Sequence, residues 1–439
     1  MCGPACWLYS LYHRAETGRR APPNSLVSNS RPGENGAMGY SRTLLPSTRR
    51  EFLIAAAAAV PALRATSPAK APVRIVALPP GGIQPQVAVS EGILHLIYFA
   101  GDPKHGDVFY MRSEDFGDAF SSPMRVNSQA GSAMAIGAIR GAQISLGKRN
   151  RVHVAWNGSD TAQPRGPINP EAGTPGSPML YARLNDQAAA FEPQRNLMQE
   201  TFGLDGGGTV AAGHNGNVYV GWHGKAPGAS QGEAGRKIWI ARSSDEGRTF
   251  AKEFAASQEP TGACGCCGMR LFVGSSGAIY GLYRSARENV HRDIYLLRSD
   301  DGARTFSTAL LHPWNINACP MSSMSFVESG NDVFAAWETQ TQVYFAPVSR
   351  GVDVARAAIV APPGQNPKRK YPALARNSRG ETLLAWAEGA GWQRGGVLGW
   401  QLFDKSGRPS AACDISRSTP VWSFPAVFVR PDESFVIVV

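Results

Sequence analysis

The chain has 439 residues, including 48 Gly, 32 Pro, 10 Trp and 12 Tyr, and only 18% of its residues are charged. This composition disfavours a helical bundle and suits many short strands joined by tight turns. The formal net charge is +10, but residues 1–70 hold 9 Lys+Arg against 3 Asp+Glu, which leaves about +4 for the remainder. No basic stripe with interleaved aromatic residues occurs there, so nucleic-acid binding is not expected.

The first predicted element is an export signal. The strongest apolar run, 52–63, is too short to span a bilayer comfortably but suits a signal-peptide core. The paired Arg49-Arg50 and the following Phe52-Leu53 stand directly at its start. This arrangement resembles a twin-arginine export signal. A buried Ala-rich helix is the alternative interpretation.

The position of this signal divides the chain. Met38 lies at a normal distance upstream of the arginine pair, so 1–37 is interpreted as an upstream mis-start or a disordered segment. We assign 38–69 to the twin-arginine signal peptide, with cleavage near Ala65 or Ala69, where small residues occur. The mature protein is then expected in the periplasm or outside the cell, with no integral membrane segment after signal removal.

Seven downstream segments repeat one pattern: a short strand, a polar turn, and a second strand that usually ends on an aromatic residue. They are 85–98, 142–156, 208–222, 269–283, 323–337, 372–386 and 425–439. The aligned aromatic residues are Tyr98, Trp156, Trp222, Tyr283, Trp337 and Trp386. They recur every ~50 to 65 residues, a period typical of one four-stranded propeller blade.

A third strand follows each of the first six hairpins, whereas the seventh segment ends the chain at its second strand. The N-terminal strand 73–78 is expected to complete that last blade. The pattern therefore predicts an all-β fold, a β-propeller of four-stranded antiparallel blades, with seven blades favoured and six as the alternative. Residues 73–439 are predicted to form this single domain.

Three similar turns follow third strands at 113–120, 243–250 and 299–306. Each has Ser, then Asp two residues later, and ends on Phe, while the third copy has Ala303 where the others have Gly. Asp and Ser side chains can bond the backbone of such a turn, Gly permits a positive φ, and Phe fills a gap between blades. The turns resemble the Asp-boxes (BNR repeats) of the sialidase superfamily. We interpret them as structural and assign their carboxylates no catalytic role.

This resemblance implies exo-α-sialidase chemistry: three arginines hold the sugar carboxylate, a Tyr activated by a Glu attacks, and an Asp serves as acid/base. The family's first arginine stands in an Arg-Ile-Pro-like triplet entering the first inner strand, where this chain has Ile83-Gln84-Pro85. That arginine is therefore missing. Tyr371-Pro372, preceded by Arg369, is closer to the triplet but lies in the sixth unit.

Candidate site residues lie on one face of the predicted propeller, the loop face, formed by loops that enter inner strands and loops that join second to third strands. The opposite face, the turn face, carries the Ser-x-Asp turns. Arginines can clamp an anionic ligand, and a nearby carboxylate can act as acid or base. The candidates for anion binding are Arg284, Arg287, Arg292 and Arg369. The candidates for chemistry are Glu288 with Tyr371, and Asp102 as acid/base, while Trp392 is a candidate for stacking on a sugar ring. The alternative is a solvated loop with ion pairs and packed aromatic residues.

Cysteines form a second constellation on the loop face. Cys264, Cys266 and Cys267 stand in one loop, and Cys319 stands in the corresponding loop of the next blade. Disulfides, with Cys267–Cys319 as one possible pair, are the first expectation for an exported protein. A copper or zinc site formed by Cys with His291 or His312 is the alternative, although Cys-x-Cys-Cys differs from the paired Cys-x-x-Cys spacing of zinc sites. No other cofactor is expected.

Two functions follow from these patterns. One is an exported sialidase-like glycoside hydrolase that acts on anionic glycans, and the alternative is a non-catalytic propeller that binds a glycan, a protein or a metal. Three arginines facing one cavity beside a Tyr–Glu pair would favour the hydrolase. Scattered arginines and a closed cysteine cluster would favour the binding protein. The oligomeric state is left open.

Overall fold

The computed structural model describes residues 73–257, 260–364, 368–412 and 417–439. All of them belong to one compact unit. The predicted mis-start segment and signal peptide lie outside the described residues. Within the described ranges, no helix is long and apolar enough to cross a membrane.

The strands form seven small sheets, which we number as blades in chain order. The chain begins with β1 (Val73–Val76). Blade 1 consists of β2 (Ile83–Ser90), β3 (Ile93–Asp102), β4 (His105–Ser113) and β5 (Met124–Arg125). Blade 2 consists of β6 (Gln143–Leu146), β7 (Val152–Asn157), β10 (Met179–Arg183) and β11 (Arg195–Asn196), with the hairpin β8 (Ile168–Asn169) and β9 (Thr174–Pro175) inserted before β10. A 3₁₀ turn, Lys148–Asn150, separates β6 from β7.

Blade 3 consists of β12 (Thr209–Ala212), β13 (Val218–Gly224), β14 (Lys237–Ser243) and β15 (Phe254–Ala255). Blade 4 consists of β16 (Arg270–Val273), β17 (Ile279–Arg284), β18 (Ile294–Ser299) and β19 (Ser307–His312). Blade 5 has β20 (Met324–Ser329), β21 (Asp332–Thr339) and β22 (Gln342–Pro347), followed by the short helix α1 (Val352–Ala357) where other blades have a fourth strand.

Blade 6 consists of β23 (Arg369–Arg376), β24 (Thr382–Glu388), β25 (Gly396–Phe403) and β26 (Pro409–Ala412), and β27 (Ser418–Thr419) also pairs with β25. Blade 7 has β28 (Ala426–Val429) and β29 (Phe435–Val438). Each inner strand contacts the inner strand of the next blade, and β28 of blade 7 contacts β2 of blade 1. The seven blades therefore close into a ring, which confirms the all-β propeller with seven blades rather than six.

The N-terminal strand completes blade 7, as the sequence predicts. Strand β1 pairs with β29 in parallel, with Val73 opposite Phe435 and Val76 opposite Val438. A blade alternates strand direction, so β1 runs in the direction of a fourth strand although it occupies the third position. This direction lets β1 continue directly into β2, as the outermost strand of any blade leads into the next inner strand. Blades 5 and 7 are thus three-stranded in the described residues, not four-stranded.

The aromatic residues that end the predicted hairpins are core residues. Trp156, Trp222 and Trp337 are almost fully buried, and Tyr98, Tyr283 and Trp386 are also buried. The buried indole of Trp222 donates its N–H to Thr201 Oγ1 at 3.0 Å. A large aromatic side chain at the same point of each hairpin fills the space between neighbouring sheets, which explains its recurrence in the sequence.

The Ser-x-Asp turns satisfy their own backbone groups. In the turn at 243–250, Ser243 Oγ accepts the Gly247 N–H at 2.9 Å and Asp245 Oδ1 accepts the Thr249 N–H at 2.9 Å. The turns at 113–120 and 299–306 have the same two hydrogen bonds. The residue two positions after the Asp has a positive φ in every copy: +89° at Gly117, +76° at Gly247 and +66° at Ala303.

Candidate functional site

A cavity of about 100 Å³ lies on the propeller axis, lined by residues from all seven blades. Its walls are the beginnings of the inner strands together with the loops that enter them. The cavity is therefore continuous with the loop face, where propellers collect ligand-binding groups. We call it the central cavity.

Among the described residues that line the central cavity, Arg270 is the only charged one, and no Asp or Glu is among them. Its Nη2 donates to Gln86 Oε1 of blade 1 at 2.8 Å. Burial lowers the pKa of Arg270 to about 10, so the side chain is still cationic at neutral pH. Two other lining groups, Gln143 Oε1 and Ser325 Oγ, have no hydrogen-bond partner among the described residues. The cavity thus presents one positive charge and unused polar groups.

Tyr371 also lines the central cavity, at a strained point of the backbone. It has a φ of +57° and directly precedes Pro372, as Gln84, with a φ of +56°, precedes Pro85 in blade 1. Left-handed φ values at bulky residues are costly and tend to occur at functional sites. Burial raises the pKa of Tyr371 to about 12. The phenol is therefore protonated at neutral pH.

The carboxylate that acts electrostatically on Tyr371 is Glu338, at the end of β21, and not Glu288. Glu338 is fully buried, and neither of its oxygens accepts a hydrogen bond from the described residues. Lys370 Nζ lies 3.8 Å from Glu338 Oε1. Burial raises the pKa of Glu338, and the charges of Lys370 and Arg284 oppose that shift. Glu338 does not line the central cavity.

Three of the four candidate anion-binding arginines are buried and bound to protein groups. Arg284 donates to Ser322 Oγ at 3.0 Å and to the carbonyl oxygens of Arg292 and Glu338. Arg292 pairs with Glu233 at 2.6 Å. Arg369 donates to the carbonyl oxygens of residues 362 and 363 and stacks on Trp386. The structure brings Arg284 and Arg292 together, but their guanidinium groups already have protein partners.

The remaining candidates lie near the surface. Glu288 is 69% exposed at its side chain and pairs with Arg287 Nη1 at 3.7 Å and with His291 Nε2 at 3.6 Å. Asp102 Oδ1 accepts the Lys104 N–H at 2.8 Å within its own turn.

Trp392 is 37% exposed and packs edge-on against Trp422, with ring centroids 6.1 Å apart. Glu288 and Asp102 contact residues of their own loops. None of these three candidates lines the central cavity.

The four cysteines of the loop face meet. Cys264 Sγ lies 3.0 Å from Cys267 Sγ and 3.5 Å from Cys266 Sγ, and all four thiols are free. Cys266 lies beside Cys319, within 4.8 Å, together with a carboxylate oxygen of Glu233. The neighbour of Cys319 in this group is therefore Cys266, not Cys267. Neither His291 nor His312 belongs to these groups of potential ligands among the described residues.

The thiols lie in a positively charged environment. Burial opposes ionisation of Cys267, but hydrogen bonds with Cys264 and Cys266 and the charge of Arg284 together hold its pKa well below the ordinary value. Burial raises the pKa of Cys264. Arg292 approaches the same cluster through Glu233, which also accepts the Gly265 N–H. The cysteine cluster, Arg284, Arg292 and Glu233 therefore form one network on the loop face.

Sequence reasoning missed Arg270, Glu338 and Glu233. Arg270 falls inside the fourth hairpin segment, where the pattern predicts a strand and no site residue. The available signal was its charge, because the corresponding positions of other inner strands are mainly neutral. Glu338 directly follows Trp337, one of the aromatic residues that recur at the end of the hairpins, so the pattern predicts that the strand ends there. Glu233 stands in a polar loop whose composition predicts exposure to solvent.

No protein-family model matches the chain, and no curated protein matches it in sequence. Among solved structures, it is similar to an α-L-arabinanase from Penicillium chrysogenum, with 12% identity, a TM-score of 0.49, and coverage of 75% of this chain and 94% of that one. It is also similar to a protein of unknown function from Dyadobacter fermentans, with 14% identity, a TM-score of 0.47, and coverage of 76% and 93%.

A third similar structure is a sialidase from Trypanosoma rangeli, with 14% identity, a TM-score of 0.44, and coverage of 71% of this chain and 53% of that chain. TM-scores below 0.5 carry no argument about the activity of this chain. Its function has to be argued from its own residues.

Proposed function

We propose that this protein is a binding propeller that takes a small anionic ligand, such as the carboxylate of an acidic sugar, in its central cavity. The observation that carries this proposal is that Arg270 is the charged residue among the described cavity-lining residues, with no carboxylate beside it. A partly buried cation that lines a cavity without a counter-charge is complementary to an anion. The free polar groups of Gln143 and Ser325 offer further hydrogen bonds to such a ligand.

Hydrolysis of an anionic glycan is the alternative, and one observation favours it: Tyr371 lines the cavity, and the charge of Glu338 acts on its phenol. Three observations weigh against it. The phenol has a pKa of about 12, the carboxylate is fully buried beside Lys370, and the cavity walls supply no acid/base among the described residues. A glycosidase needs a nucleophile and an acid/base that both reach the substrate.

The residue that stands in place of the missing sialidase arginine also favours binding over hydrolysis. Gln84 stands there, and its Nε2 donates to the carbonyl oxygens of Ala135 at 2.7 Å and Trp422 at 2.8 Å. A neutral amide that is already bound to the backbone cannot replace a guanidinium group that holds a carboxylate. The cavity volume of about 100 Å³ also falls below the roughly 300 Å³ at which pockets for whole small molecules begin.

Calorimetric titration of the full-length protein with N-acetylneuraminate and with inorganic phosphate tests this proposal. Arg270→Met removes the charge while keeping an aliphatic chain, and should weaken binding about ten- to hundredfold, because hydrogen bonds to charged groups contribute about 1.5–3 kcal/mol. The matched control is Arg287→Met, an exposed arginine of the loop face, which should bind like the unchanged protein. Equal binding by both variants, or no binding of either probe by the folded protein, would refute the proposal.

Two sequence-based interpretations belong to this proposal. The three Ser-x-Asp turns support assignment to the sialidase-like, Asp-box superfamily, and Arg49-Arg50 supports twin-arginine export to the periplasm or beyond. Replacement of both arginines by Lys should leave the precursor in the cytoplasm, as measured by cell fractionation. Unchanged export of that variant would exclude the twin-arginine route.

A further inference from the structure

Four thiols from two neighbouring blades converge on the loop face at a point that the anion-binding proposal does not use. Cys264, Cys266 and Cys267 lie in the loop that enters β16 of blade 4, and Cys319 lies in the loop that enters β20 of blade 5. The first three have exposed fractions of 1%, 3% and 1%. Their sulfur atoms all lie within 4.8 Å of one another, and Cys266 is shared with a second group that contains Cys319.

Backbone hydrogen bonds hold the two cysteine loops together. The Gly268 N–H donates to the Ser322 carbonyl at 2.9 Å, which ties the blade 4 loop to the blade 5 loop. The Cys264 N–H donates to the Arg284 carbonyl at 2.9 Å, and the Cys267 N–H donates to the Cys264 carbonyl at 3.3 Å. The thiols are therefore positioned by the fold and not by mutual contact alone, as a preorganised ligand set requires.

We propose that Cys264, Cys266, Cys267 and Cys319 together bind one soft d¹⁰ metal ion, Cu(I) or Zn(II). Thiolate sulfur is the ligand that selects these ions in proteins. With metal–sulfur bonds of about 2.3 Å, tetrahedral thiolates lie about 3.8 Å apart. The sulfur atoms at 3.0 and 3.5 Å need to separate by less than 1 Å to reach that arrangement. Cys319, which shares a group with Cys266 but not with Cys264 and Cys267, has to move towards those two thiols.

The surrounding charges suit a metal–thiolate centre, which carries net negative charge. Arg284 and Arg292 are both buried beside the thiols. Arg292 pairs with Glu233 at 2.6 Å, which fixes the guanidinium group beside the cluster. Glu233 is already engaged with Arg292 and with the Gly265 N–H, which leaves the four sulfur atoms as the ligand set. A closed set of four protein ligands is typical of a structural or carrier site and not of an open catalytic one.

The competing state of the same cysteines is a pair of disulfides. The geometry would pair Cys264 with Cys267, and Cys266 with Cys319. An exported protein meets an oxidising compartment, so this state has to be measured and not assumed away. Metal occupancy and disulfide formation are mutually exclusive for these thiols, because the metal binds thiolates and oxidation to a disulfide removes them.

Metal titration of the full-length protein tests the proposal. The protein is purified anaerobically under reducing conditions, titrated with Zn(II) or Cu(I) against a chromogenic chelator, desalted, and analysed for bound metal by mass spectrometry. We expect one ion per chain, with sulfur neighbours at about 2.3 Å in X-ray absorption spectra. Cys266→Ser should weaken binding by more than about 100-fold, since even groups that only support a ligand contribute 10- to 100-fold.

Two further variants keep the result interpretable. Cys319→Ser changes the most exposed of the four thiols and should also lose the metal while it retains the unfolding midpoint of the metal-free protein. Cys413→Ser removes a thiol that belongs to neither cysteine loop, and this variant should bind the ion like the unchanged chain. The proposal is overturned if the folded, reduced protein binds no stoichiometric ion, or if Cys266→Ser binds it equally well. It is also overturned if the native protein carries two disulfides and fails to bind metal after reduction.

Discussion

The turn face and the loop face differ in how their polar groups are satisfied. On the turn face, the carboxylates of Asp115, Asp245 and Asp301 accept hydrogen bonds from N–H groups of their own turns. On the loop face, Arg284 relies on partners from other loops, and both oxygens of the buried Glu338 have no hydrogen-bond partner among the described residues. The turn face is therefore stabilised by contacts within single turns, whereas the loop face depends on contacts between distant segments.

The largest effect is expected from Arg284. Arg284→Met leaves the Ser322 hydroxyl and two carbonyl groups without their donor and removes one of the two cations near the Glu338 carboxylate, so it should lower the free energy of unfolding by about 3–5 kcal/mol. Arg287→Met, at an exposed arginine three residues away, should change it by less than about 0.5 kcal/mol. Urea denaturation of both variants measures the difference. Similar losses in the two variants would show that the loop face does not depend on its buried network.

Acid should destabilise the protein through two buried histidines close to the turn face. Burial, reinforced by Arg151 and Arg183, lowers the pKa of His153 to about 3, and burial with Arg112 lowers that of His95 to about 4. Both are neutral in the folded state, and each shares a hydrogen bond with a tyrosine hydroxyl.

Because both pKa values lie below the unfolded value of about 6.5, the stability present above pH 6.5 is lost as the pH falls toward 4. The expected slope is about 1.4 kcal/mol per pH unit for each histidine. His153→Gln should lower the slope by about 1.4 kcal/mol per pH unit, while the exposed His214→Gln should leave it unchanged. Unfolding free energies measured between pH 4.5 and 6.5 check this, and an unaltered slope in His153→Gln would contradict it.

The smallest effects concern the positive-φ position of the turns. At Gly247 a Cβ atom would meet Tyr181 Oη at 1.9 Å, whereas at Gly117 the nearest atom is 3.6 Å away. Gly247→Ala should therefore cost about 2 kcal/mol or more and Gly117→Ala only about 1 kcal/mol, the strain of a left-handed Ala. Ala303→Gly should stabilise the third turn by about 0.5 kcal/mol, after the added entropy of the unfolded chain. Thermal unfolding of the three variants ranks them, and a destabilised Ala303→Gly would count against the strain argument.

The sequence was sufficient for the blades because their signal is local. Alternating side chains and a recurring aromatic residue, as at Trp156 and Trp222, depend only on the two strands of one hairpin. Even the closure of blade 7 by β1 could be predicted, since an incomplete last hairpin requires a partner strand. The parallel direction of β1 and the helix that replaces the fourth strand of blade 5 could not, because both depend on packing at the outer edge of the ring.

The candidate site was less predictable because its contacts join distant segments. Nothing in the sequence around Arg292 indicates that Glu233 neutralises it, or that Arg284 is bound by Ser322 and by the Glu338 carbonyl. A run of arginines therefore looked like an anion clamp although most of its charges are engaged by protein groups. The position of Arg270 in the cavity could not be predicted for the opposite reason, because a single charge inside a strand pattern indicates an exposed residue. Only the closed ring of inner strands places it in the cavity wall.

In the proposed function, the central cavity binds an anion and the protein does not hydrolyse a glycoside. The most direct test is release of the fluorophore from a panel of sialosides and other acidic glycosides by the full-length protein, compared with Tyr371→Phe. We expect the unchanged protein to release no more fluorophore than Tyr371→Phe at any pH where the protein is folded. Turnover that Tyr371→Phe abolishes while the variant remains folded would contradict it and establish a tyrosine-dependent glycosidase.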